Sequence, residues 1–207
     1  ARLSSMGHEP VFLPLGRPAH SPDVGAKALA NPYSALAVTS AEALRVLARP
    51  DLLGAVDREK PIYAVGSATA SAAVELGFRS VHSGDGGGQE LAELVASQHA
   101  NRNEPLLYLA GMPRAAAFEQ RLTALQLPFR VAEIYEMLPV SHSADHIAAT
   151  LTRPPADAVL LYSRENAERF FTLASEYGES LHGMRILCLS ERTAGAVPDS
   201  LTCTVQV

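Results

Sequence analysis

A chain of 207 residues, 47% of them hydrophobic, can bury the core of one large domain or two small ones, which excludes a disordered tail. Charged residues make up 19% and the formal net charge is -5, so no long-range field draws the chain to nucleic acid or an anionic membrane. An anionic ligand would have to be held by local groups.

Apolar runs such as residues 158–162 fall far short of the ~20 residues a bilayer span requires. With only Cys188 and Cys203 and no apolar leader, neither a disulfide framework nor a secretory signal is read, and the expected compartment is a reducing cytoplasm. Both cysteines lie in apolar runs, where buried, inert thiols are expected.

Short apolar runs alternate with segments of helical period, the pattern of βα units and a parallel sheet. The first expected strand is 11–15. Five follow in the middle of the chain, at 35–39, 62–66, 80–83, 106–110 and 129–135, and three more at 158–162, 185–190 and 202–206. The clearest helix is 68–76: Ser67 is its expected N-cap, Ala70, Ala73, Val74 and Leu76 form an apolar stripe, and Gly77 supplies a left-handed stop.

An internal repeat runs through this order. Residues 34–45 match 157–169, each a strand, a serine (Ser40, Ser163) and a helix, and residues 64–70 match 188–194. Ser40 and Thr69 stand 29 residues apart, Ser163 and Thr193 30, so two similarly folded halves are expected. With five strands in the middle and four outside it, the reading is a domain at 17–138 inserted into a discontinuous outer domain of 1–16 plus 139–207. Pro14, Pro18, Pro22 and Pro139 suit the crossings near 14–22 and 137–143.

Several short motifs in this order resemble the uroporphyrinogen-III synthase family. They are Thr39-Ser40 after its strand, Val65-Gly66-Ser67-Ala68-Thr69-Ala70, Gly86-Gly87-Gly88-Gln89-Glu90-Leu91, Leu107-Tyr108-Leu109-Ala110-Gly111 with Arg114, Val131-Ala132-Glu133-Ile134-Tyr135, and the turns at Ser163 and Thr193. The resemblance spans nearly the whole chain and rests on order and spacing. It implies an α/β fold of two similar, flavodoxin-like domains, each a parallel sheet flanked by helices, joined by a two-segment linker with the active site in a cleft. It also implies the cyclisation of hydroxymethylbilane, a linear tetrapyrrole with eight carboxylates, to uroporphyrinogen III in haem biosynthesis, with inversion of the last ring and loss of water. A monomer without metal or organic cofactor is implied as well.

Two departures from the family pattern stand out. The family opens with a β-strand and an Arg-Pro-type turn, whereas this sequence begins inside what corresponds to the first helix, so a strand missing from the outer sheet is expected. Ser190-Glu191-Arg192 stands where the family has a glycine, as at Gly66, and serine narrows the backbone's freedom there.

Open α/β sheets bind ligands outside the carboxyl ends of their strands, where helix N-termini offer unpaired N–H groups. The expected substrate-binding turns are therefore Thr39-Ser40, Gly66-Ser67, Gly111-Met112, Ser163-Arg164 and Ser190. Helix N-termini supply the positive potential that the acidic composition lacks. Ordinary N-capping is the commoner role for such serines and threonines. Arg114 and Arg164 are candidates for charge-assisted bonds to carboxylates, the alternative being a solvated helix face. Gly88, in a glycine run without a following Gly-Lys-Ser/Thr, is a substrate-binding candidate only through the resemblance, a plain turn being the alternative.

In the family, a tyrosine at the position of Tyr135 is the leading candidate for helping the terminal hydroxyl depart as water. A phenol of ordinary pKa, about 10, is protonated at neutral pH and can donate. Thr69 and Thr193 are second candidates for orienting that hydroxyl. The seven histidines form no ligand triad, His142 and His146 being i, i+4 without a third partner, and no Gly-x-Ser-x-Gly elbow is present. A bilobal small-molecule binding protein and an inactive synthase-like regulatory domain share this outline.

Overall fold

The computed structural model describes residues 2–84, 86–99 and 103–207. The side chains of Arg2, Thr202, Cys203 and Thr204 fall outside that description, and with them the expectation for the Cys203 thiol. The chain divides into two compact units, Ala1–Arg17 with Pro139–Val207, and Pro18–Leu138.

In the larger unit β2 (Ala35–Val38), β3 (Ile62–Val65), β4 (Val81–Gly84), β5 (Leu106–Met112) and β6 (Phe129–Pro139) pair in parallel. The sheet reads β1-β6-β5-β2-β3-β4, with β1 (Gly16–His20) at the edge. All of β2 and all but the last residue of β5 are buried, because helices cover both faces and leave no solvent side to alternate with. Alternate residues feed two cores. Leu36, Val38, Ile62, Leu107 and Leu109 pack with Leu44, Leu47 and Leu52 on one face, while Ala35, Ala37, Tyr63, Leu106 and Tyr108 meet Leu91, Val95, Phe118 and Leu122 on the other.

Counted along the chain, the five parallel strands lie in the Rossmann-type order 3-2-1-4-5, where a flavodoxin-like sheet would read 2-1-3-4-5. Both orders satisfy right-handed crossovers, so the alternation of elements cannot choose between them. Here the order reverses between β2 and β5, the kind of switch point outside whose carboxyl ends open α/β sheets bind ligands.

The smaller unit carries β7 (Ala158–Leu161), β8 (Arg185–Cys188) and β9 (Val205–Gln206), parallel in that order, over a core that includes Ile147, Leu151, Phe170, Phe171, Leu181 and Ile186. Cys188 belongs to this core, and burial pushes its thiol pKa up, which suits an inert thiol. The repeat is visible in the backbone: Ser40 caps the helix Ala41–Leu47 at φ -156°, ψ 143°, and Ser163 caps Arg164–Leu173 at φ -153°, ψ 155°.

Four expectations are corrected. Residues 11–15 form no strand. Pro10 and Pro14 remove ladder donors on either side, Val11 and Phe12 are 70% and 83% exposed, and Leu13 and Leu15 pack on the smaller core. The strand lies at Gly16–His20 instead, in the larger sheet, where Pro18 is tolerated on an edge. The expected split of five strands against four is therefore six against three among the described residues. Ser67 is not an N-cap: the helix Gly66–Glu75 starts directly from β3, because Gly66 turns the chain at φ +71°. Finally, the last strand is only Val205–Gln206, since a 3-10 turn occupies Asp199–Thr204. The helix after Gly66 ends as expected, with Gly77 at φ +89°. No helix among the described residues is long and apolar enough to cross a membrane.

Candidate functional site

The carboxyl ends of β2, β5 and β6 carry a polar cluster, and a β-bulge organises it. Ala110 pairs with Glu133, but Gly111 pairs with Tyr135, so Ile134 is the extra residue on β6. Strict alternation breaks there: Ile134 and Tyr135 are both buried, between exposed Glu133 and Glu136. The bulge turns the Tyr135 ring onto Gly111, where a Cβ would stand 2.1 Å from Cζ and 2.5 Å from the hydroxyl.

Tyr135 is 9% exposed, with Ser40 near its hydroxyl. Burial raises the phenol's pKa above the ordinary value of 10.0; Ser40 opposes this and the charge of Glu42 adds to it. Ser40 Oγ in turn accepts the Glu42 backbone N–H at 3.1 Å. Next to it, Thr39 and Tyr108 share a hydrogen bond of 2.8 Å, and Tyr108 lies edge-on to Phe118 at 4.9 Å. Burial raises the Tyr108 pKa too, against the Thr39 bond.

Glu42 sits in the first turn after Ser40, where His20 of β1 donates to it at 2.7 Å and Arg45 pairs with it. Burial works against its charge, but the bonds from His20 and Arg45 prevail and hold the carboxyl below its ordinary pKa. Neither Glu42, His20 nor Tyr108 is singled out by the sequence reading. The pairing of His20 with Glu42 joins residues 22 apart on different elements, and no local pattern marks it.

The expected arginines are already engaged. Arg114 donates through Nε to Glu119 at 2.6 Å and through Nη1 to Glu133 and Met112 Sδ, each at 2.8 Å. The Glu119 bond raises its pKa most, with Glu133 adding, against burial. It braces the helix Ala117–Ala124 against β6 and is not a free carboxylate ligand. Arg164, exposed, pairs with Glu168 at 2.8 Å across one helical turn, a contact that competes weakly with a ligand. Gly88 has a packing role: a Cβ there would come within 2.8 Å of the Phe118 backbone nitrogen.

In the smaller unit Ser163 Oγ accepts the Asn166 N–H at 3.2 Å, and Ser190 Oγ accepts the Thr193 N–H at 3.3 Å. Ser190 has φ -160°, an extended N-cap that any residue adopts, so serine fits where Gly66 needs a left-handed turn. Thr193 and Thr69 are both buried, and the Thr193 hydroxyl lies 3.1 Å from Ser190 Oγ. Tyr162 and Leu189, 63% and 69% exposed, immediately precede the serine turns; their signal was an apolar residue left over at a strand end.

Among the described residues no group of three or more His, Cys, Asp or Glu could hold a metal ion. A groove of about 510 Å³ beside the helix Pro22–Leu29, lined by Val24, Lys27, Arg130 and Glu133 among others, includes none of Thr39, Ser40 or Tyr135. The carboxyl-end cluster is thus distinguished by its chemistry rather than by cavity size.

The family model for uroporphyrinogen-III synthase HemD matches residues 1–205. Two solved structures are similar in fold. Uroporphyrinogen-III synthetase from Helicobacter pylori is 19% identical with a TM-score of 0.58, over 90% of this chain and 83% of that one. A mutant uroporphyrinogen III synthase from the extremely thermophilic bacterium Thermus thermophilus is 20% identical with a TM-score of 0.60, over 94% and 81%. No curated protein matches the sequence.

Proposed function

The chain belongs to the uroporphyrinogen-III synthase family, and from that premise we propose that Tyr135 gives the proton with which the terminal hydroxyl of hydroxymethylbilane departs as water. The family's reaction closes this linear tetrapyrrole to uroporphyrinogen III in tetrapyrrole biosynthesis. The observation that carries the role of Tyr135 is its position: a phenol, protonated at neutral pH, buried at the strand ends and seated on Gly111.

In the proposed step Tyr135 gives its phenolic proton to the terminal hydroxyl. The hydroxyl takes that proton and leaves as water, giving an electrophilic azafulvenium. The last pyrrole then attacks through its substituted carbon, forming a spiro intermediate that reopens and recloses inverted. The proton released on closure restores the phenol. Unguided closure gives the uninverted isomer, so positioning is the larger part of the task.

Each unit is proposed to offer its strand-end turns to substrate carboxylates: Thr39, Ser40, Gly66, Ser67 and Met112 in the larger, and Ser163, Arg164 and Ser190 in the smaller. Thr69 and Thr193, both buried, would shape these turns rather than touch the reacting hydroxyl. A monomeric, cytoplasmic enzyme is part of the same reading.

The test supplies hydroxymethylbilane to the chain and resolves isomers I and III by chromatography. Isomer III is expected, and Tyr135→Phe should slow its formation by about 100-fold with the fold intact. Isomer I alone from the unaltered chain would remove the activity, and unchanged turnover in Tyr135→Phe would remove Tyr135 from the mechanism.

A further inference from the structure

We infer that Gly111 acts on the reaction through Tyr135: its missing side chain is the seat that holds the phenol, which makes Gly111 a positioning residue rather than a substrate ligand. This rests on the reading of Tyr135 as proton donor. Glycine inside a strand ordinarily weakens it and marks a close approach. Gly111 occupies the sixth position of the seven-residue β5, and its requirement is spatial, since it is not among the residues with positive φ.

The approach is made by the reactive end of the side chain. The three atoms nearest a Cβ on Gly111 are Tyr135 Cζ at 2.1 Å, Cε2 at 2.2 Å and the hydroxyl at 2.5 Å, far inside van der Waals contact. The backbone beneath is held by its pairing with β6, which runs on past the end of the β2 pairing at Leu109, through Gly111 to Met112. A methyl group at 111 therefore moves the ring, and with it the hydroxyl. The bulge at Ile134 aims the phenol and Gly111 receives it, so two irregularities in adjacent strands serve one side chain.

The experiment uses the full chain with Gly111→Ala, Tyr135→Phe and the pair combined, measuring kcat and KM for isomer III. Gly111→Ala is expected to lower kcat about tenfold or more while KM stays within about twofold, and the double variant to be no slower than Tyr135→Phe alone. Full kcat in Gly111→Ala overturns the inference. So does a raised KM at unchanged kcat, and so does a double variant showing the product of the single losses. A Tyr135→Phe chain at full turnover withdraws the role of Tyr135 itself, a result distinguishable from failure of Gly111 alone.

If Gly111→Ala does not fold, melting temperatures in a Tyr135→Ala background decide. With the ring removed, the added methyl has room and should leave the melting temperature of that background unchanged. A further drop there overturns the seat.

Discussion

Replacing Gly66 with alanine isolates a backbone cost from a packing cost. The residue turns the chain out of β3 at φ +71°, and a Cβ built on it meets nothing within 4 Å, so no clash enters the balance. What remains is the penalty of an L-residue in the left-handed region, about 1–2 kcal/mol. For a chain of this size each kcal/mol lowers Tm by about 2–4 °C, so the expected fall is about 2–8 °C by circular dichroism. Gly178→Ala is the matched control: its Cβ also finds open space, but φ is -50°, which alanine adopts readily. That variant should hold its Tm or gain a few tenths to about 1 kcal/mol through the unfolded state. Ser190→Gly makes the corresponding change in the smaller unit. Its extended φ needs no glycine, so it should lose, not gain, by about 0.5–1 kcal/mol. Gly66→Ala melting at or above the parent, or Gly178→Ala falling as far, would refute the argument from φ.

Two further outcomes follow from the polar network. Glu42 has a folded pKa below its ordinary 4.5, so its contribution to stability is fully present above that value and is lost as pH falls through the lower folded value. Denaturant titrations of Glu42→Gln and the parent should differ by a constant amount above about pH 5 and begin to converge as pH falls below about 4.5; a gap that widens in acid contradicts the sign. Ser163→Ala removes the cap on the Asn166 N–H and should cost about 1 kcal/mol, read as a lower denaturation midpoint; Ser163→Asp should restore it, and no recovery would mean that the cap is not what stabilises the turn.

The α/β class with parallel sheets was legible because it follows from consecutive residues. β2 and β5 are apolar without interruption, as strands covered on both faces must be, and the serine after β2 recurs after β7 with nearly the same dihedral angles. The run at 11–15 misled for the same reason. Its leucines are apolar because they cover a core, and local composition does not distinguish covering from pairing. Arg114 shows the limit for charges: a basic residue after a strand end looks free until Glu119 and Glu133, 5 and 19 residues away, are seen to hold it.

Most strand positions of the parallel sheets, the serine caps at Ser40 and Ser163 and the repeat were therefore set by the sequence alone, since periodicity and cap chemistry act over a few residues. The strand order, the bulge at Ile134, the seat of Tyr135 on Gly111 and the His20–Glu42–Arg45 cluster were decided only in three dimensions. Each depends on which distant segments lie side by side, and that is settled by burial of the whole core rather than by any stretch of neighbouring residues.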